Sequence, residues 1–275
     1  MTAKPQAGVE AALPRMFLRS LFLQSAWNFE RMQNLGFLFA LEPALKRIWK
    51  DPADRVAATR RHLEVFNTQP YMAGFCLGAT ARLEAEMAAA PKSERPAREA
   101  RLRSFKAVLS STCAALGDPF FWSALRPFCA VLALGVWGLA AFWVWYGAAL
   151  RDEGFAALPA GVFLAGSAAY LALFNGFALT ARAAGLRLGW REGEEVAREL
   201  KRLPLRAWEA RLRWTGFLLT AAAALGFLTV SAARGDWWVL VAALGMAALK
   251  VWDFSTVALY ACILFVSLAA ALIRP

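Results

Sequence analysis

Arg19, Gln24, Trp27, Asn28, Glu30, Arg31 and Asn34 fall within one stretch, residues 18–45, that is apolar enough to leave water. Asn67, Thr68 and Gln69 form a second polar knot, Asp118 with Arg126 a third, and Asn175 stands alone in an apolar run. Where water is scarce, each of these groups needs a partner. A carboxylate and amides exchange hydrogen bonds with hydroxyls, and an aromatic ring stacks on a C–H face. That is the donor set of a site for a hydroxyl-rich solute such as a sugar. The candidates for it are Trp27, Asn28, Glu30, Arg31, Asn67, Gln69 and Asp118. Plainer roles stand beside this one. Asp118 can cap a helix, Asn67 and Gln69 can turn the chain before Pro70, and Asn175 can bond a neighbouring helix. Glu30 and Arg31 can simply bridge adjacent segments.

Chemistry on covalent bonds has no such support. The chain holds no Gly-rich phosphate loop, no HExxH, no GxSxG and no spaced set of metal ligands. His62, the single histidine, lies one helical turn before Phe66 and reads as a structural imidazole. Neither catalysis nor a metal or cofactor is expected of this chain.

The composition points to lipid. Of 275 residues 59% are hydrophobic, and the mean hydropathy is +0.43. A soluble core needs less. The net charge of +11 would suggest nucleic acid in a soluble protein. Here the basic residues sit between apolar runs, where they orient the chain and meet anionic lipid, so nucleic acid is not an expected partner. The four cysteines lie scattered in apolar stretches and read as buried hydrophobes. The mild first residues give no cleavable signal peptide.

The pattern predicts an all-α, polytopic integral membrane protein in three regions. Residues 1–15 read as a disordered arm. Residues 16–126 carry amphipathic and re-entrant helices. Within them, one helix is expected over 18–34, ending near Pro43, because no Gly or Pro interrupts that run. Asp51 and Pro52 open another helix. The uncharged run 65–81 is broken by Pro70, Gly74 and Gly78 and fits a segment dipping into the membrane. Residues 88–101 read as a solvated linker. Asp118 then caps a helix that Pro127 kinks or breaks. Residues 127–275 form the transmembrane region, with about four to five spans. Residues 127–150, 155–181, 214–233 and 254–273 are each long enough, and 237–249 is a half-helix or part of a pair. Residues 182–213 hold nine Lys or Arg against five acidic residues. They read as a cytoplasmic basic segment, on the same side as residues 1–126. Gly185, Gly189 and Gly193 recur every four residues, but the charges between them argue against a membrane dimerisation face.

Three motifs resemble a known family. FLRSLFLQSAWNFERMQNLGF, RRHLEVFNTQP and LGDPFFWSALRP are similar, in family order over residues 17–130, to the IID component of the mannose/fructose/sorbose family of the bacterial sugar phosphotransferase system. A weaker echo runs through Phe174-Asn175, Thr180-Ala181-Arg182 and Gly189-Trp190 to about residue 195. The resemblance implies a multi-pass subunit of the bacterial cytoplasmic (inner) membrane that pairs with a IIC subunit in a hetero-oligomer. Together they form the path for a hexose or amino-hexose, and cytoplasmic IIA and IIB proteins carry the phosphoryl group on their own histidines. This chain is then non-catalytic. Beyond about residue 200 it departs from the family pattern, with RLPLRAWEARLRW leading almost directly into 214–233. That departure supports a second reading, a transport-inactive docking or regulatory partner of phosphotransferase proteins.

Overall fold

A computed structural model describes residues 7–150 and 160–233, with Val241 and Leu244 beyond them. The described elements are all helices. Their β-pairing is confined to two isolated bridges, Asn28 with Met32 and Met32 with Phe66. Residues Met1–Gly216 form one compact unit and Phe217–Pro275 a second.

The first unit opens with α1 (Ala7–Glu10) and α2 (Leu13–Ser20). Residues 7–15, expected as a disordered arm, are thus almost wholly helical. Val9, Ala12 and Met16 are buried, and seating them offsets the entropy of ordering the chain. The helix expected over 18–34 is also broken. Turns occupy 21–26 and, around the bridged Met32, 29–33, and α3 (Asn34–Ile48) starts after them. Side chains compete here for backbone groups: Ser20 and Ser25 hydroxyls donate to the carbonyls of Phe17 and Phe22, at 2.6 and 2.8 Å. Asn28 Oδ1 accepts the Arg31 N–H at 2.7 Å. Met32 has φ 59°, a left-handed conformation that costs about 1 kcal/mol. Two backbone hydrogen bonds with Asn28, at 2.9 and 3.1 Å, hold it there. Pro43 does not end α3, because the buried stripe Phe37, Ala40, Leu41, Ala44 and Leu45 carries the helix through it.

Asp51 and Pro52 open α4 (Pro52–Arg61) as expected, with Asp51 Oδ1 accepting from Ala53 and Asp54 N–H groups at 2.8 and 3.0 Å. The run 65–81 divides into a non-helical stretch and the start of α5 (Ala73–Ala89). The expected linker 88–101 is instead the end of α5, a single 3₁₀ turn Lys92–Glu94 and the start of α6 (Arg95–Asp118). Pro96 sits in the first turn of α6, where its missing N–H has no helical partner to lose.

Asp118 has helical φ and ψ and makes no cap hydrogen bond. A wide π-helical segment, Pro119–Leu125, carries the chain directly into α7 (Arg126–Leu150). The Arg126 N–H reaches back five residues to the Phe121 carbonyl. That extra residue gives Pro127 room, so the expected break does not occur. Then follow α8 (Ala160–Glu192), a 3₁₀ turn Gly193–Glu195, α9 (Val196–Arg202) and α10 (Leu205–Ala233). The helix of α8 continues past residue 182, the expected start of the basic segment. Among the described residues two helical runs, Lys92–Ala140 and Leu164–Gly226, are long and apolar enough to cross a membrane. The expected span 254–273 and most of 237–249 lie outside the described residues.

The first unit is built on α5 packed along α8, with α3 and α6 also against α5. The glycines explain the closeness. A Cβ on Gly78 would meet the Leu186 carbonyl and lie 2.6 Å from the Trp190 nitrogen. A Cβ on Gly189 would meet the Phe75 carbonyl and lie 2.8 Å from the Ala79 nitrogen. The glycine repeat of α8 therefore packs α8 on α5 of the same chain.

Candidate functional site

Two non-helical segments, residues 21–33 and 62–72, clasp each other beside α6. The Gln33 amide acts as a backbone mimic. Its Nε2 donates to the Thr68 carbonyl at 3.0 Å, and its Oε1 accepts from the Thr68 N–H at 3.1 Å. The Gln33 N–H donates to the Phe66 carbonyl at 2.8 Å, and the Phe66 N–H to the Arg31 carbonyl at 3.3 Å. Leu63's carbonyl accepts from both Asn34 Nδ2, at 2.8 Å, and Arg31 Nη1, at 3.3 Å. Asn28 Nδ2 donates to Asn34 Oδ1 at 3.2 Å. Thr68 and Gln69 then reach α6: the Thr68 hydroxyl donates to the Ser110 carbonyl at 2.9 Å, and Gln69 Nε2 to Asp118 Oδ1 at 3.3 Å.

The clasp brings Asn28, Arg31, Gln69 and Asp118 into one hydrogen-bonded system. Asn28 and Arg31 are tied to the 62–72 segment, and Gln69 ties that segment to Asp118. Asn67 lies in the same segment but is exposed. Trp27 is 43% exposed and packs edge-on against Phe29, 4.8 Å away and 89% exposed. Glu30, with its side chain 79% exposed, pairs with Arg31 Nε at 3.1 Å. The exposed edge therefore presents an aromatic pair, an ion pair and Asn67. The buried side holds the amides Gln33 and Gln69. Asp118 does not pair with Arg126, whose guanidinium stands 5.5 Å over the Trp122 ring. Asn175 is exposed on α8.

A second polar centre, which sequence reading passed over, supports the clasp from below. Glu84 is fully buried on α5. Its carboxylate takes both Arg61 Nε, at 2.7 Å, and Arg61 Nη2, at 3.1 Å. Trp49 Nε1 donates to it at 2.7 Å, and His62 Nε2 lies 2.9 Å away. Burial raises the Glu84 carboxyl, but hydrogen bonds from His62 and Arg61 and the charge of Arg61 outweigh it and bring it to about 2. Burial also holds the His62 pKa below its ordinary value, against the pull of Glu84, so the ring stays neutral. His62 touches Phe37 at 6.1 Å between ring centroids, and Phe37 stacks on Phe66 of the clasp at 4.0 Å. The sequence signal was weak, since Glu84 stands between Arg82 and Glu86 at the polar end of a helix that opens apolar; Gln33 carried no signal beyond its place beside Asn34. Among the described residues no three His, Cys, Asp or Glu side chains group closely enough to hold a metal ion.

Interlocked loops seated on close-packed helices, two of whose runs are long and apolar enough to cross a membrane, define an all-helical protein with a polar clasp at one edge. The model of the PTS system mannose/fructose/sorbose family IID component matches residues 10–147, and the chain belongs to that family. It is 34% identical over 190 residues to the mannose-specific EIID component of Escherichia coli (strain K12), covering 67% of this chain and 56% of that one. It is 32% identical over 185 residues to the fructose permease IID component of Bacillus subtilis (strain 168), covering 67% and 58%. The chain thus spans little more than half the length of these curated relatives. Its fold is similar to a chain in the cryoEM structure of the mannose transporter ManYZ with microcin E492. The TM-score is 0.53 at 30% identity, over 78% of this chain and 69% of that one.

Proposed function

We propose that this chain is the IID membrane subunit of a mannose-family sugar phosphotransferase system. With a IIC subunit it forms, in the bacterial inner membrane, a multi-pass unit that carries a hexose or amino-hexose to IIB for phosphorylation. Phosphoryl transfer belongs to the IIA and IIB proteins, since His62 is buried against Glu84 and presents no nucleophile to a partner. The carrying observation is the clasp, which holds amides from two separate segments against one polar, exposed edge. Trp27, Asn28, Glu30, Arg31, Asn67, Gln69 and Asp118 form or support this half-site, and the IIC subunit completes it. Glu30 accepts sugar hydroxyls, Arg31 fixes its carboxylate, and Trp27 offers a face to the sugar's C–H groups. The 16–126 region carries the site and the helices beyond it anchor the chain.

The test is phosphoenolpyruvate-dependent sugar uptake in cells with and without this chain, alongside co-purification of the IIC subunit. Uptake that needs the chain supports transport. Assembly with the partner without any uptake supports the docking or regulatory reading instead.

A further inference from the structure

Arg61, Arg82, Lys106 and Arg182 are all buried in the first unit. The first three each face a carboxylate, on Glu84, Glu86 and Glu64 in turn. Arg182 faces none among the described residues. It lies on α8, within a run apolar enough to cross a membrane, where a charge without a counter-charge is costly to keep. Its partners are of another kind. Arg182 Nη1 donates to the Ser20 carbonyl and lies 3.4 Å from the Ser20 hydroxyl. The guanidinium stands 5.8 Å over the Tyr71 ring.

Both partners belong to the clasp. Ser20 ends α2, and the 21–33 segment departs from it. Tyr71 lies in the 62–72 segment, where its N–H donates to Gln69 Oε1 at 3.0 Å. Gln33 and Asn34 join the far end of the first segment to the second, at Thr68 and Leu63. Arg182 joins the near end of the first segment to the second, through Ser20 and Tyr71. Trp27, Asn28, Glu30 and Arg31 lie between these two ties. The tie at Arg182 is itself anchored. A Cβ on Gly74 would meet the Arg182 carbonyl, so the start of α5 presses on α8 at this residue. A Cβ on Gly36 would meet the Leu23 carbonyl, so the start of the 21–33 segment is seated on α3. Tyr71 also packs edge-on against Phe174 of α8, at 5.5 Å. A methionine would fill the place of Arg182 without the cost of burying a charge, but it could not direct the Ser20 carbonyl.

We propose that Arg182 is a positioning residue for sugar transport. From α8 it sets the spacing of the two clasp segments, and so of Glu30 and Asn67 on the exposed edge. The inference rests on the transport reading of the clasp. Arg182 acts through Ser20 and Tyr71, so its loss displaces the groups that hold sugar and removes none of them.

The experiment uses the full chain in complex with its IIC subunit. Phosphoenolpyruvate-dependent uptake is measured over a range of sugar concentrations and referred to the amount of assembled complex. Arg182→Met is expected to raise the concentration for half-maximal uptake about tenfold, with the maximal rate per complex little changed. Arg182→Lys keeps the charge without the planar fork and should fall between, at about threefold. It decides the matter if Arg182→Met fails to assemble. In the purified complexes, amide exchange over residues 21–33 and 66–71 should quicken in these variants, while α5 and α8 around Gly78 and Gly189 keep theirs. A residue serving stability alone would reduce the amount of complex and leave the half-maximal concentration where it was. That result, or unchanged exchange in both segments, overturns the proposal. Uptake that never needs the chain would instead overturn the transport reading, and the exchange measurement would still decide whether Arg182 positions the clasp.

Discussion

Glu84 and Glu30 are both carboxylates, yet the fold treats them oppositely. Glu84 is fully buried and bound by Trp49, Arg61 and His62, while Glu30 lies on an exposed turn with Arg31 alone. Removing the Glu84 charge strands Arg61 in the interior, so Glu84→Gln should destabilise the first unit by about 3 kcal/mol, read by thermal unfolding. The pH dependence follows from the same centre. The folded His62 pKa lies below its ordinary 6.5, so as pH falls through that value the unfolded state takes up the proton first and stability drops. The Glu84 carboxyl is depressed from 4.5 to about 2, so its contribution is present above 4.5 and is lost as pH falls toward 2. Both effects weaken the fold in acid, and His62→Gln should remove the upper part of the decline. Gln33→Ala leaves the Thr68 N–H and carbonyl without their partner, at a cost of about 2 kcal/mol. It should also loosen the clasp, seen as faster amide exchange at Thr68. The polar residues of 24–34 and 67–69 were legible in the sequence as a set because they stand out against apolar neighbours. Which of them face inward was not, since burial depends on the register of two irregular segments.

At the scale of elements, the departures from expectation share one cause. Pattern reading counts helix formers, whereas Ser20, Ser25 and Asn28 divert the backbone by bonding it locally. The same local view makes Pro43 and Pro127 helix breakers, although the buried stripe of α3 and the wide turn before α7 accommodate them. Asp51 and Pro52 were legible because a cap is set by adjacent residues alone. The α5–α8 crossing needed two distant glycine pairs to be read together. Gly78→Val should push α5 off the Leu186 and Trp190 backbone and cost about 1–3 kcal/mol, visible as a lowered unfolding temperature. The same change at Gly176, where a Cβ meets nothing within 4 Å, should have little effect.

At the scale of the whole molecule, membrane character was plain from composition, and family membership from three motifs within residues 17–130. The number of spans was not, because helices such as α8 run on through charged sequence that reads as a boundary. Phe22, Trp27, Phe29 and Phe39 remain exposed around the site, an apolar surface that suits a protein partner. Expressed alone, the chain should aggregate or lose the clasp in detergent, and co-expression with a IIC subunit should give a monodisperse complex. The most direct measurement is phosphoenolpyruvate-dependent sugar uptake by cells carrying that complex with Glu30→Gln, beside the unaltered chain. The account predicts a complex that assembles normally and takes up sugar at least about tenfold more slowly, equivalent to about 1.4 kcal/mol. An assembled Glu30→Gln complex with undiminished uptake would contradict it.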